Sequence, residues 1–83
     1  LHHGMSPADW KRDMSAAWDD LGRRAAAGEK LPIDAYALEA PAEFFAVLSE
    51  TFFERPAMLQ HTWPEVYQHL ADFYRQNPLT SDG

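Results

Sequence analysis

The chain has no cysteine, so neither a disulfide nor a thiolate metal site is open to it. That fits a reducing compartment such as the cytoplasm. It also lacks any apolar run approaching the length of a membrane span, and the segment beginning at Leu1 does not read as a signal peptide. Positive charge is scarce: seven Lys and Arg stand against thirteen Asp and Glu, for a formal charge of −6. A surface of that sign repels phosphate backbones and argues against nucleic acid as a partner. No glycine-rich phosphate loop is present, nor strand-like alternation, nor an internal repeat, nor a Ser-His-acid set in a recognisable context. An initiator methionine is missing too, which leads us to expect a piece of a longer chain.

What the chain does have is aromatic side chains: three Trp, three Tyr and five Phe among 83 residues, far too many for a disordered segment. Its length allows one small domain at most. A domain this short buries only a little over half of its unfolded surface, so it is marginal unless well packed or supported by a partner.

The hydrophobic pattern predicts an all-α fold with three main helices and one short helical turn. Ser6-Pro7-Ala8-Asp9 is a helix start, with a serine N-cap, proline at the first helical position and an acid at the third. Trp10, Met14, Ala17, Trp18, Leu21 and Ala25 then recur at helical spacing and form one buried stripe. The first helix is expected over 7–27, with Gly28 as its stop and Arg23 and Arg24 near the negative end of its dipole. A connector over 28–40 leads to a second helix, opened by Pro41 and ended near Glu54 by Pro56. A short turn is expected over 56–61. Thr62-Trp63-Pro64-Glu65 matches a capping box. It introduces a third helix with Trp63, Val66, Tyr67, Leu70, Phe73 and Tyr74 on one face, ending before Asn77-Pro78. The residues from Thr80 read as a frayed tail.

The second helix is unusual. Phe45, Leu48 and Phe52 make one apolar line, Phe44 and Phe53 flank it, and Glu43, Val47, Glu50 and Glu54 occupy the opposite face. A helix apolar over more than half its circumference should be covered on several sides. Its two neighbours can cover only part of it. A further element is therefore expected here; without it, the piece is expected to hide this surface in a two-fold homodimer.

Glu43 is an acid in the first turn of a helix, a common place for a carboxylate that favours the dipole. Tyr36 is a loop tyrosine, which ordinarily packs its ring and finds one hydrogen bond for its hydroxyl. Glu50 lies on the Glu43 face two turns on and suits a solvated surface acid. The four histidines do not form a helical metal pair. His2 and His3 are adjacent, His61 and His69 are eight apart, and neither pair has the i, i+4 spacing. None of the four is expected to bind zinc. Trp10 and Trp18 are expected to anchor the core.

The segment PAEFFAVLSE, preceded by DAY and followed by FFERP and FYRQNPL, resembles the C-terminal part of the Mlc titration factor A family of bacterial zinc peptidases of the gluzincin type. A shorter version of the pattern occurs in the peptidase domain of anthrax lethal factor. The resemblance runs over residues 1–79 and implies the C-terminal helical part of a zincin-like catalytic domain. It implies that Glu43 is the third zinc ligand and that Tyr36, seven residues earlier, assists catalysis by donating a hydrogen bond to the oxyanion. Asp34 matches an acid that orders the loop before the tyrosine, and Glu50 becomes a possible group behind the ligand. The family also implies aminopeptidase-like hydrolysis of peptides in a cytoplasmic protein and, for its namesake, binding to a transcriptional repressor. The HExxH helix, which supplies two histidine ligands and the general base, is absent from this chain. The chain alone is therefore expected to be inactive, one wall of a site whose other wall lies upstream. Two rival readings come from different classes: a small acidic helical module that binds another protein through aromatic residues, and a structural domain in which Glu43 is only a helix-start acid.

Overall fold

Proline opens every α-helix in the computed structural model, which describes residues 6–75 and Leu79. The helices α1 (Pro7–Ala26), α2 (Pro41–Glu54), α3 (Pro56–Thr62) and α4 (Pro64–Tyr74) all carry it at the first helical position. There its missing N–H deprives the helix of nothing, and its fixed φ already suits the first turn. A single 3-10 turn, Ala35–Leu38, lies in the connector between α1 and α2. Among the described residues there is no strand, and the fold is all-α as the pattern predicts. The three main helices fall where expected, and the expected short turn is a full seven-residue helix. His2, His3 and the tail over 80–83 lie outside the described residues.

Local chemistry sets the ends of α1. The Ser6 hydroxyl accepts from the Asp9 N–H at 3.1 Å while the Asp9 carboxylate accepts from the Ser6 N–H at 3.2 Å, closing a reciprocal cap. At the other end Gly28 adopts φ +74°, and the N–H groups of Gly28 and Glu29 donate back to the carbonyls of Ala25 and Arg24, each at 3.0 Å. This pattern needs a left-handed residue after the helix, which glycine adopts without strain.

The next two junctions are tighter. One extended residue separates α2 from α3 (Arg55, φ −139°) and another separates α3 from α4 (Trp63, φ −137°). In both cases the following proline drives its predecessor out of the helical region. The predicted cap at Thr62 does not form. Helix α3 runs through Thr62, whose hydroxyl donates to the Met58 sulfur at 3.3 Å, and α4 starts without a side-chain cap.

Leu21 of α1, Leu48 and Phe52 of α2, Leu59 of α3 and Val66, Tyr67 and Leu70 of α4 are buried almost completely and form the centre of the core. Burial of each such side chain stabilises the fold by roughly 1.5–3 kcal/mol. Three polar contacts fix the helices to one another. His69 Nε2 meets the Asp13 carboxylate at 2.8 Å, the Trp63 indole N–H donates to Asp20 at 2.9 Å, and the Tyr74 hydroxyl donates to Ser49 at 2.8 Å.

The stripes differ from expectation at their margins. Ala25 is exposed, so the buried face of α1 ends at Leu21. On α2 the buried line runs through Phe44, Leu48, Thr51 and Phe52, because Trp18 closes edge-on over Phe44 with ring centroids 5.3 Å apart. Phe45 is left half-buried and Phe53 is 46 % exposed. Phe73, expected on the packed face of α4, is 58 % exposed although its ring touches Trp10 and Phe45. Trp10 and Trp18 are only partly buried, packing against the core rather than within it.

Candidate functional site

Asp34 organises the approach to α2. Its carboxylate accepts from the Tyr36 N–H at 2.9 Å and caps the 3-10 turn, and its carbonyl accepts from the Ala37 N–H at 2.9 Å. Ala37 is fully buried and anchors the turn, whereas Tyr36 stays 53 % exposed. Two residues after the turn, Ala40 extends (φ −166°, ψ 157°) and Pro41 starts α2.

Glu43 occupies the third position of α2, where a glutamate often reaches back to the N-cap backbone as half of a capping box. The N-cap here is Ala40, which has no hydroxyl to complete the exchange, and no side-chain cap is made. Among the described residues the half-buried Glu43 carboxylate makes no ion pair. It lies close enough to the Tyr36 phenol for its charge to be felt there. The negative charge of Glu43 is the first cause that pushes the Tyr36 phenol above its ordinary pKa; desolvation, hydrogen bonding to the same carboxylate and the charge of Glu39 follow. The phenol therefore keeps its proton and remains a donor.

Glu43, Tyr36 and Asp34 thus form one corner: a carboxylate free of capping duty, a protonated phenol beside it, and an acid that holds the phenol's backbone. Glu50 is exposed on α2, seven residues beyond Glu43 and hence on nearly the same face. Among the described residues no three His, Cys, Asp or Glu come together as a metal cluster. His61 is exposed, and His69 is buried against Asp13. A carboxylate oxygen such as that of Glu43 is an ordinary zinc donor, so the corner fits one ligand of a three-ligand site.

Residues 1–75 match the family described as glucose-regulated metallo-peptidase M90. This chain belongs to that family. Relatives bearing the name Mlc titration factor A agree with the placement. The Serratia proteamaculans (strain 568) protein is 45 % identical over 74 residues, which are 87 % of this chain and 28 % of that protein. The proteins of Yersinia pestis (strain Pestoides F) and Yersinia pseudotuberculosis serotype O:1b (strain IP 31758) are each 46 % identical over 74 residues, 87 % of this chain and 27 % of theirs. The chain thus spans little more than a quarter of the M90 relatives it matches.

Two features of the corner escape pattern reading. The 3-10 turn has no periodicity to betray it, although Asp34 two residues before Tyr36 is the side chain that caps it. The freedom of Glu43 follows from Ala40 at the N-cap, a residue noticed only once the helix start is fixed.

Proposed function

We propose that this chain is one wall of the active site of a longer zinc metallopeptidase, with Glu43 as the third zinc ligand and Tyr36 as the group that assists the reaction. The observation that supports it best is the Glu43 carboxylate, unused in capping and near enough to the Tyr36 phenol to raise its pKa. The two histidine ligands and the general base come from an HExxH helix outside these 83 residues. Zinc held by these residues would supply a lowered pKa to its water and polarise the scissile carbonyl.

The residues of this chain have distinct parts. Glu43 contributes negative charge and one oxygen at a position fixed by Pro41 and by the buried Phe44 beside it. Tyr36 donates its phenolic proton in a hydrogen bond to the oxyanion that develops when the peptide carbonyl is attacked, stabilising charge where it appears. Asp34 positions Tyr36 through the backbone. Glu50 stands further along the same face and supports the site from behind the ligand. The substrate is a peptide and the compartment the cytoplasm, in keeping with the absence of cysteine. Among the described residues no helix is long and apolar enough to cross a membrane.

The test is Glu43→Ala in the longer protein, with metal content and hydrolysis of small chromogenic peptides measured together. We expect both to be lost. Retention of stoichiometric zinc by Glu43→Ala would remove Glu43 from the ligand set. The 83-residue chain alone, supplied with zinc, is expected to show no turnover, since one carboxylate holds metal far more weakly than three convergent ligands.

A further inference from the structure

A cleft of about 370 Å³ opens between α1 and the start of α2, and neither Glu43 nor Tyr36 lines it. Trp10, Met14, Trp18, Phe44 and Phe45 supply most of its wall, with Ser15 and Asp19 as its polar side chains. That volume lies at the small end of the range for small-molecule sites, and an apolar wall with few polar groups is their usual make-up.

The charge at its edge is distinctive. Among the aspartates of α1, Asp9, Asp13 and Asp20 are all engaged with arginines of the same helix at 3.5 Å or less. Asp19 has no such partner among the described residues. Arg23, one turn on and the nearest candidate by spacing, is turned to Asp20 at 3.5 Å. The cleft therefore presents an uncompensated carboxylate beside the partly exposed indole of Trp18, with the Trp10 indole about two and a half turns away at its other end, in a chain of net charge −6. Indole is the aromatic group that attracts cations most strongly through its ring face.

We propose that this cleft binds a small organic cation: an ammonium group carried on an apolar body of about one ring. The ammonium lies between the Asp19 carboxylate and the neighbouring Trp18 indole, and the apolar body lies among Met14, Phe44 and Phe45, towards Trp10 at the other end of the cleft. Neutral apolar ligands of the same shape gain the burial but neither charge interaction. This site is separate from the Glu43 corner, so its failure or success leaves the peptidase reading untouched.

Phenethylammonium is a suitable probe and 2-phenylethanol its neutral counterpart. Both are titrated into the 83-residue chain while the indole N–H signals of the three tryptophans are followed by NMR. We expect saturable shifts at Trp10 and Trp18 with a millimolar dissociation constant, and little change at Trp63, whose indole N–H is held by Asp20. The amine should bind about fivefold more tightly than the alcohol, as befits one exposed ion pair and one cation–π contact. Asp19→Asn, at an exposed position without a partner, should keep the fold and lower amine affinity by a similar factor while leaving the alcohol unchanged. Equal binding of amine and alcohol, equal amine binding by Asp19→Asn, or the absence of saturable shifts at Trp10 and Trp18 would each overturn the proposal.

Discussion

His69 and Asp13 meet at 2.8 Å across 56 residues of sequence, fastening α4 to α1 in the interior of the molecule. The histidine is almost wholly buried, and the ring of Trp10 stands edge-on to it at 5.4 Å. Removing the carboxylate leaves a buried imidazole nitrogen without its partner, a change that costs about 2 kcal/mol. We expect Asp13→Ala and His69→Ala to lose comparable stability in urea denaturation. Their double variant should lose less than the sum, because the two changes destroy one shared contact. Strict additivity would mean that the contact contributes nothing.

Stability should also depend on acid in a defined direction. Asp13 is held below its ordinary pKa chiefly by the hydrogen bond from Arg12, with burial opposing and His69 assisting. Asp20 is lowered chiefly by the Trp63 indole, with burial again opposing and Arg24 assisting. A carboxylate whose folded pKa is depressed contributes fully above its unfolded value of about 3.9 and loses that contribution as pH falls through the lower folded value. The melting temperature is therefore expected to drop as pH is lowered beneath about 4. Asp20→Asn should be less stable at pH 6 yet show a shallower decline on the acid side. An unchanged acid slope would mean that Asp20 is not among the groups responsible.

The two described glycines should respond in opposite directions to the same substitution. Gly22 lies inside α1, and a Cβ added there meets nothing within 4 Å. Gly22→Ala should therefore stabilise the chain by up to about 1 kcal/mol through helix propensity. Gly28 has equal room but sits at φ +74°. Gly28→Ala should destabilise by about 1 kcal/mol, from backbone strain alone. Thermal unfolding of the two variants side by side checks both signs.

Most of the fold is legible in the sequence because it is written in local signals. The prolines that open α1 and α2, the Ser6–Asp9 cap and the Gly28 stop depend only on neighbours, and all of them appear where they are read. What depends on the third dimension is not legible. Spacing places Phe45 and Phe73 on apolar stripes, but only the positions of Trp18 and Trp10 decide which rings are covered. His69 looks like an uncommitted histidine until α1 brings Asp13 to it. Thr62 satisfies the capping-box pattern, yet the competing run of α3 through that residue leaves no free N-terminus for it to cap. For the candidate site, type and spacing read Glu43 as a helix-start acid and Tyr36 as a loop tyrosine, and only the family resemblance singles them out; their approach to each other follows the 3-10 turn that Asp34 caps.

Tyr36 carries a prediction separable from that for its neighbour. The phenol donates and does not bind metal in the proposed scheme, so Tyr36→Phe in the longer protein should keep its zinc and its affinity for peptide. The turnover rate should fall by about 10²–10³, the usual effect of losing one donor to a developing oxyanion. Asp34→Ala should act in the same direction but more weakly, since it loosens the turn without removing the hydroxyl. Steady-state kinetics with metal analysis distinguishes these outcomes, and full turnover by Tyr36→Phe would deny it a part in the chemistry.

The last prediction concerns the aromatic face that α2 and α4 leave open. Phe44 is covered within its own chain at 5 % exposure, but Phe53 and Phe73 remain 46 % and 58 % exposed. Their rings belong to one continuous series, with Phe45 against Phe73, Phe73 against Tyr74 and Tyr74 against Phe53, centroids 4.8–5.5 Å apart. Apolar surface of this kind gains about 25 cal/mol for every Å² removed from water. A domain of this size has little stability in reserve, so the gain from covering it is felt. We expect the 83-residue chain to pair through this face as a two-fold dimer at micromolar concentration, detectable by sedimentation. Phe53→Ser with Phe73→Ser should return it to a monomer without loss of helicity, because both rings stand about half in solvent at the margin of the core. A native chain that sediments as a monomer over the whole concentration range would show that this face does not drive association between copies.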